Sequence, residues 1–312
     1  MAVSAAGPDP KYKAPRTESG QPDLQGVWNF SSEVPLQRPE AVADKKTFTR
    51  EEFEARKGAK ARGIATISTL APVEAIGLTW LDYAPQIEDV RTSLITYPEN
   101  GKLPKLVDGV RRVPGADEIL AALADIKGGP PPAVLQAFLS GGKRDGPEDF
   151  GTSERCLFGG GPPFMPDVDN NYVQVIQSND HVVLLTDKTA RIVPLTGRPR
   201  LSGNLRIWAG DSRGHWEGDT LVVETSNFTN RTQSFAGAGT AREKVVTERL
   251  TRISPHALSY EATVVDPKTF QDKIVFTLPM TKVESHLYES ACHEGNYSMS
   301  NVLAAARKEE GR

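Results

Sequence analysis

From residue 170 onward the sequence repeats one pattern: a short run of alternating apolar and polar residues, then a turn. The runs are YVQVIQS, HVVLLTD, ARIVPL, DTLVVETSNF, EKVVTERLTRI, ALSYEATVVD and DKIVFTLPM, separated by Asn-Asp, Thr-Gly, Gly-Asp and Asp-Pro turns. Successive strand side chains point to opposite faces, so each run predicts a strand with one buried face. Parallel neighbours would need crossovers, usually helical, and no helical pattern intervenes between these closely spaced runs. The pattern therefore predicts a mainly β protein, an antiparallel meander that closes into a barrel or packs as a sandwich; we expect the barrel.

The first 150 residues read differently. Residues 1–22 are polar and form an extended N-terminal arm. Residues 49–62, TREEFEARKGAKAR, predict a short charged helix with Thr49 as N-cap and Glu51 and Glu52 in the first turn. Arg91–Tyr97 predicts a strand, and Pro98-Glu99-Asn100-Gly101 a turn carrying the Asn-Gly hairpin signal. Residues 115–126 and 131–141 predict two short helices, broken by Gly128-Gly129-Pro130-Pro131. The tail SMSNVLAAARKEE predicts a C-terminal helix capped by Ser298 or Ser300. No long linker divides the halves, so residues 23–312 are expected to form one β-barrel domain, with 40–150 a helix- and loop-containing insertion wrapping it.

Composition narrows the function. A net charge of −3 argues against a nucleic-acid-binding surface. No apolar run approaches the roughly 18 residues of a membrane span. The start of the chain reads as the mature N-terminus of an exported protein, periplasmic or extracellular, whose signal peptide is gone; the alternative is a cytoplasmic protein with a loose arm. In an exported protein the two cysteines, Cys156 and Cys292, would most simply pair, the alternative being two buried thiols.

Candidate site residues come from polar side chains on apolar faces. On EKVVTERLTRI one face holds Val246, Glu248 and Leu250, so Glu248 points inward. A buried carboxylate must be paired or protonated, so Glu248 either meets an arginine (Arg206 or Arg191) or serves catalysis. Gln174 alternates with Tyr172 and Ile176 and is expected to point into the barrel; Asn171 precedes it at the strand start. Gly210–Asp219 reads as tight turns around a short strand, where Asp211, His215 and Glu217 would have to converge to hold a metal; we expect none. Cys292-His293-Glu294-Gly295-Asn296-Tyr297 puts a base, an acid, an amide and a phenol at a strand end, and a bond to Cys156 would hold them beside Glu154-Arg155. The sequence has no His-Glu-x-x-His and no Rossmann glycine pattern, and Gly159–Pro163 lacks the Lys-Ser/Thr of a phosphate loop.

Two resemblances add to this. Gly26-Val27-Trp28 at the first strand resembles the start of lipocalin-like barrels, whose Trp closes one end. PDLQGVW, RTSLITYPENGKLP, SERC, NNYVQVIQ, GDSRGHWEGDTLVVETSNF and YESACHEGNY together resemble a large, mostly uncharacterised family of exported bacterial proteins found in soil and environmental bacteria. The resemblance spans nearly the whole chain and implies export and a β-rich fold, without an activity. Its motifs contain Arg155, Asn171, Gln174, Asp211, Trp216, Glu217, Asp219, Asn227, His293, Glu294 and Asn296. Members often carry Arg or Lys where this chain has His215, so the resemblance gives His215 no required role.

The expectation is a cofactor-independent enzyme of lyase or isomerase type, acting by elimination, isomerisation, cyclisation or hydration on a small organic molecule in the barrel mouth. His293, Glu294 and Glu248 would be catalytic. Arg155, Asn171, Gln174, Arg206, Asp211, Trp216 and Tyr297 would bind substrate. The alternatives are a periplasmic carrier of an apolar ligand, favoured by a deep apolar pocket, and an envelope interaction protein, favoured by no pocket.

Overall fold

A computed structural model describes residues 3–4, 12–55, 87–112, 145–150, 155–157, 161–166 and 171–311. Twelve strands are present among them: β1 (Val3–Ser4), β2 (Gly26–Asn29), β3 (Ile87–Glu88), β4 (Ile95–Tyr97), β5 (Tyr172–Gln177), β6 (His181–Leu185), β7 (Ala190–Pro194), β8 (Asp211–Glu217), β9 (Thr220–Ser226), β10 (Val245–Ser254), β11 (Ala257–Val265) and β12 (Ile274–Val283). Ten of them make one sheet in the order β7-β6-β5-β2-β12-β11-β10-β9-β8, with β4 also on β12. Every pairing in it is antiparallel. Each of the seven predicted runs supplies a strand.

Two meanders, β5–β7 and β8–β12, are spliced by the N-terminal strand β2, which pairs with β5 on one side and β12 on the other. Trp28 of β2 is fully buried, and its indole N–H donates to the Leu24 carbonyl (2.9 Å). Arg252 lies over the Trp28 ring (5.8 Å) and holds the Asp23 carbonyl (2.9 Å), tying the end of β10 to the entry of β2.

The expected closure is not made by hydrogen bonds: β7 and β8 are the two edges of the ladder. They nevertheless touch. A Cβ on Gly214 of β8 would stand 2.8 Å from Val193 Cγ1 and 2.9 Å from Leu195 Cδ2, so only glycine lets the edges approach this closely. Arginines bridge the seam instead of a ladder. Arg213 donates to the Arg198 carbonyl (3.1 Å) and the Pro199 carbonyl (2.6 Å), and Arg200 to the Asp211 carbonyl (2.9 Å).

The buried face follows the alternation on the long strands. Val246, Glu248 and Leu250 of β10, Leu258, Tyr260, Ala262 and Val264 of β11, and Ile274, Phe276 and Leu278 of β12 are all buried. All but Val246 and Glu248 join Trp28, Val173, Val175, Val182, Leu184, Val193, Leu221 and Val223 in one core, while Val246 packs with Phe228 and Ala241 in a second. At roughly 1.5–3 kcal/mol per fully buried large apolar side chain, this face dominates the stability of the sheet.

Outside the sheet, Thr49 and Glu52 form a reciprocal capping box at the start of the helical stretch 50–55: the Glu52 N–H donates to Thr49 Oγ1 (3.2 Å) and the Thr49 N–H to Glu52 Oε2 (2.9 Å). The remainder of that helix and the helices expected at 115–126 and 131–141 lie outside the described residues. Of the expected strand from Arg91, Ile95–Tyr97 forms β4, and Arg91 makes an isolated antiparallel bridge to Thr47. Pro98–Gly101 does turn, with the Gly101 N–H on the Pro98 carbonyl (2.9 Å). It makes no hairpin, however, because β4 pairs with β12 rather than with the chain that follows. The C-terminal helix is Tyr297–Glu309, and its cap is Asn296, whose side chain accepts from the Met299 N–H (3.3 Å). Ser300, an expected cap, instead donates to the Tyr297 carbonyl (2.9 Å) from inside the first turn. No helix among the described residues is long and apolar enough to cross a membrane.

Candidate functional site

The inner face of β10 carries Glu248 and Arg252 among apolar side chains, and buried Lys244 stands just before the strand. Glu248 is 0% exposed and takes a bidentate grip from Arg191 of β7, at 2.5 Å to Oε2 and 2.9 Å to Oε1. Tyr260 of β11 donates its hydroxyl to Glu248 Oε1 (2.8 Å) and accepts from the Phe164 N–H (2.9 Å). Arg191 also stacks over the Phe164 ring (5.0 Å). The ion pair therefore crosses the interior, from one edge strand to a strand near the opposite edge, which requires the sheet to curl. Burial raises the Tyr260 hydroxyl well above its ordinary range, and the adjacent carboxylate adds to this. Burial works against the Arg191 charge, but the Glu248 carboxylate outweighs it and holds the guanidinium protonated. Of the two arginines expected for Glu248, the partner is Arg191.

One turn of the alternation earlier, Lys244 shares the face of Val246 and Glu248 and is only 7% exposed. Its Nζ donates to the Ser234 carbonyl (2.9 Å) and the Pro162 carbonyl (3.4 Å) and sits over the Phe228 ring (4.4 Å). Among the described residues no carboxylate lies within ion-pair distance of it. Burial lowers its pKa to about 8, against the opposing pull of the Asp266 and Glu248 charges. Asp266 is itself buried and fixed by the Thr269 hydroxyl (2.8 Å) and the Lys268 N–H (3.0 Å).

A single segment joins these two groups. The Pro162 carbonyl faces Lys244, and two residues on, the Phe164 N–H faces Tyr260. A chain of rings walls the region: Phe30 to Phe164 (5.5 Å), Phe164 to Tyr260 (5.5 Å), Tyr260 to Phe276 (6.3 Å) and Phe276 to Phe235 (5.9 Å). Arg191, Glu248 and Tyr260 thus form one hydrogen-bonded set among apolar side chains, and the Lys244 amine is buried separately against Phe228; in both places charge effects are strong. Sequence reasoning missed Lys244, Arg191 and Tyr260 as a group, although the β10 alternation extended back by two residues points to Lys244.

The other expected site residues go elsewhere. His293 and Glu294 lie exposed on the turn before the C-terminal helix, and Tyr297 is exposed in its first turn. Cys156 and Cys292 are joined by a disulfide (Cα–Cα 5.6 Å), which brings half-buried Arg155 to this turn; Glu154 is outside the described residues. Asn296 Nδ2 donates to Cys156 Sγ (3.1 Å). The disulfide and the Asn296 contact thus place the Arg155-Cys156 segment at this turn, and Glu248 is not part of it.

Gln174 is on the other face from the one expected. Val173 and Val175 are the buried residues of β5, and Ile176 is exposed. Asn171 is buried, and its carbonyl accepts from the Phe30 N–H (2.8 Å). Asp211 is buried and braces the loop after β7 by accepting from the Leu201 N–H (2.9 Å) and pairing with Arg213. Arg206 holds the carbonyls of Phe228 (3.3 Å) and Arg242 (2.5 Å). Trp216 is half-buried against the core. Glu217 bridges His215 (3.1 Å) and Arg249 (2.7 Å) on the outside, and Arg249 first, then His215, holds its carboxyl below the usual range. Among the described residues no three His, Cys, Asp or Glu side chains converge as metal ligands.

A cleft of ≈ 370 Å³ opens where the N-terminal arm meets the β5–β6 turn, lined by polar residues including Arg16, Glu18, Asp23 and Asn179. Its Gln177 amide is spent on structure, accepting from the Leu24 N–H (2.6 Å) and donating to the Pro22 carbonyl (3.0 Å). Comparison with family models, curated proteins and solved structures found no match to this chain.

Proposed function

We propose that the protein is an enzyme that moves a proton on a small organic molecule held against the inner face of a lipocalin-like barrel. The observation that carries this reading is Lys244, a buried amine without a carboxylate at ion-pair distance among the described residues, on the same strand face as a buried carboxylate. With a pKa of about 8, roughly a quarter of it is neutral at pH 7.5, so one side chain can take and return a proton near neutrality. Glu248 acts through Lys244: hydrogen-bonded to Arg191 and the Tyr260 hydroxyl, it supplies a negative charge that favours the protonated amine. The aromatic wall supplies apolar contact and keeps water from the transfer.

Elimination, isomerisation, cyclisation and hydration are the reactions that such a base performs without a cofactor or covalent nucleophile. The acid–base role moves here from His293 and Glu294 to Lys244, because an exposed turn gives water the same access as the substrate. The barrel reading is supported by the edge contact at Gly214 and by the Arg191–Glu248 pair across the interior. Export is supported by the Cys156–Cys292 disulfide, since such bonds persist in oxidising compartments.

The test is incubation with mixed plant phenolics, terpenoids and modified sugars, with and without a chelator, followed by mass analysis. A new product mass, insensitive to the chelator, is expected. Compounds retained unchanged would make the protein a carrier, and a chelator-sensitive product would overturn the metal-free mechanism.

A further inference from the structure

The connection between β7 and β8 differs from the rest of the surface. Residues 196–205 are all exposed except half-buried Arg200. Leu201, Leu205 and Ile207 are 39%, 58% and 43% exposed. Between Thr196 and Trp208 stand Arg198, Arg200 and Arg206 and no acidic residue, in a chain whose net charge is −3. Connections this long without regular structure are uncommon in compact domains and are usually functional.

The loop is held down at several points. Asn227 Nδ2 donates to the Leu201 carbonyl (2.9 Å). The Ile207 N–H donates to the Asn227 carbonyl (3.2 Å) and the Thr229 N–H to the Ile207 carbonyl (3.1 Å). Arg206 reaches the Phe228 and Arg242 carbonyls, so exposed Arg242 and its neighbour segment lie on the same surface. Arg231, exposed two residues after Thr229, adds another positive charge. The nearby acids are already engaged: Glu224 with Arg200 (2.5 Å), and Glu243 with Arg242 (3.5 Å) and Arg206 (3.9 Å). Three aliphatic tips are thus kept in water, ringed by cations, on a braced loop.

We infer that this loop is an interfacial anchor that seats on an anionic phospholipid surface. Aliphatic tips enter the boundary between headgroups and acyl chains, while arginines keep their charge among the phosphates. Each such cation adds to binding on an anionic leaflet. An acidic protein partner is the other occupant that the experiment below distinguishes. With three aliphatic side chains the attachment is weak, reversible and salt-sensitive.

The full chain is sedimented with vesicles of phosphatidylcholine alone and of phosphatidylcholine mixed with phosphatidylglycerol, at low and high salt, and is also passed over immobilised polyglutamate. Pelleting with the anionic vesicles alone, weakened by salt, is expected. Leu205→Asp and Arg198→Glu should each reduce it about tenfold without changing the melting temperature, since both side chains are exposed. Equal pelleting with neutral vesicles, no pelleting with either, or variants that bind like the wild type would overturn the inference. Retention on polyglutamate without pelleting would overturn it in favour of an acidic protein partner.

Discussion

Two polar clusters in this protein contain similar chemistry in opposite settings. At the surface, His293, Glu294 and Tyr297 follow the disulfide-bonded Cys292 in the chain and face water. In the interior, Lys244, Glu248, Arg191 and Tyr260 sit among rings and aliphatic side chains. Cross-linking holds the first cluster in place but leaves its electrostatics to the solvent, where charge interactions are small. Burial changes the second: it pushes the phenol up, brings the amine down to about 8, and makes each group depend on its neighbours. Residue type alone does not mark a reactive site; burial among apolar side chains is what shifts the protonation of Lys244 and Tyr260.

The largest expected effect that sharpens this contrast is removal of one member of the interior pair. Arg191→Met leaves Glu248 buried and unpaired, and denaturant unfolding should show a loss of about 3–5 kcal/mol. The double variant Arg191→Met with Glu248→Leu should recover most of that loss, because an apolar replacement removes both charges. If the double variant is as unstable as the single, the cost lies in packing rather than in the unpaired charge.

The disulfide comes next. Cys156→Ser with Cys292→Ser should cost about 2–4 kcal/mol by releasing the chain between them in the unfolded state. The difference between wild type and Lys244→Met across the pH range should be unchanged by it, since the two clusters are separate. A coupled loss of that pH dependence would show instead that surface and interior are energetically linked.

The pH dependence of Lys244 is smaller. Its pKa falls from 10.5 in the unfolded chain to about 8 in the fold. Between those values the unfolded chain binds more protons than the folded one, so the Lys244 contribution rises with pH. The penalty for burying the charged amine is present in full below about pH 8 and is gone above about 10.5. Relative to Lys244→Met, wild-type stability should therefore climb by at most about 3 kcal/mol across that window. A flat difference would show an amine that titrates as if in water. The smallest effect belongs to the exposed turn, where His293→Ala should change stability by no more than about 0.5 kcal/mol.

Much of the interior was legible. Along the middles of β10, β11 and β12 the large apolar residues fall on one face, so alternation identified the buried side and marked Glu248 as an intruder. On β5 both faces are apolar, Tyr172 and Ile176 against Val173 and Val175, and alternation could not choose between them. Packing chose the valines, which turned Gln174 away from the core. The partner of Glu248 was ambiguous for a related reason: Arg191 and Arg206 have the same chemistry, and the curl of the sheet decided between them. The place of β2 between two meanders is a long-range pairing that leaves no local signal. Cys156 and Cys292 were readable as a pair because the chain offers no other cysteine.

The most direct measurement is product formation by the wild type, Lys244→Met and His293→Ala on a substrate found in the mixed-compound screen, each chain first verified as folded. If the interior does the chemistry, His293→Ala turns over like the wild type and Lys244→Met forms no product. A Lys244→Met chain that still works, or a His293→Ala chain that does not, would return the chemistry to the surface turn.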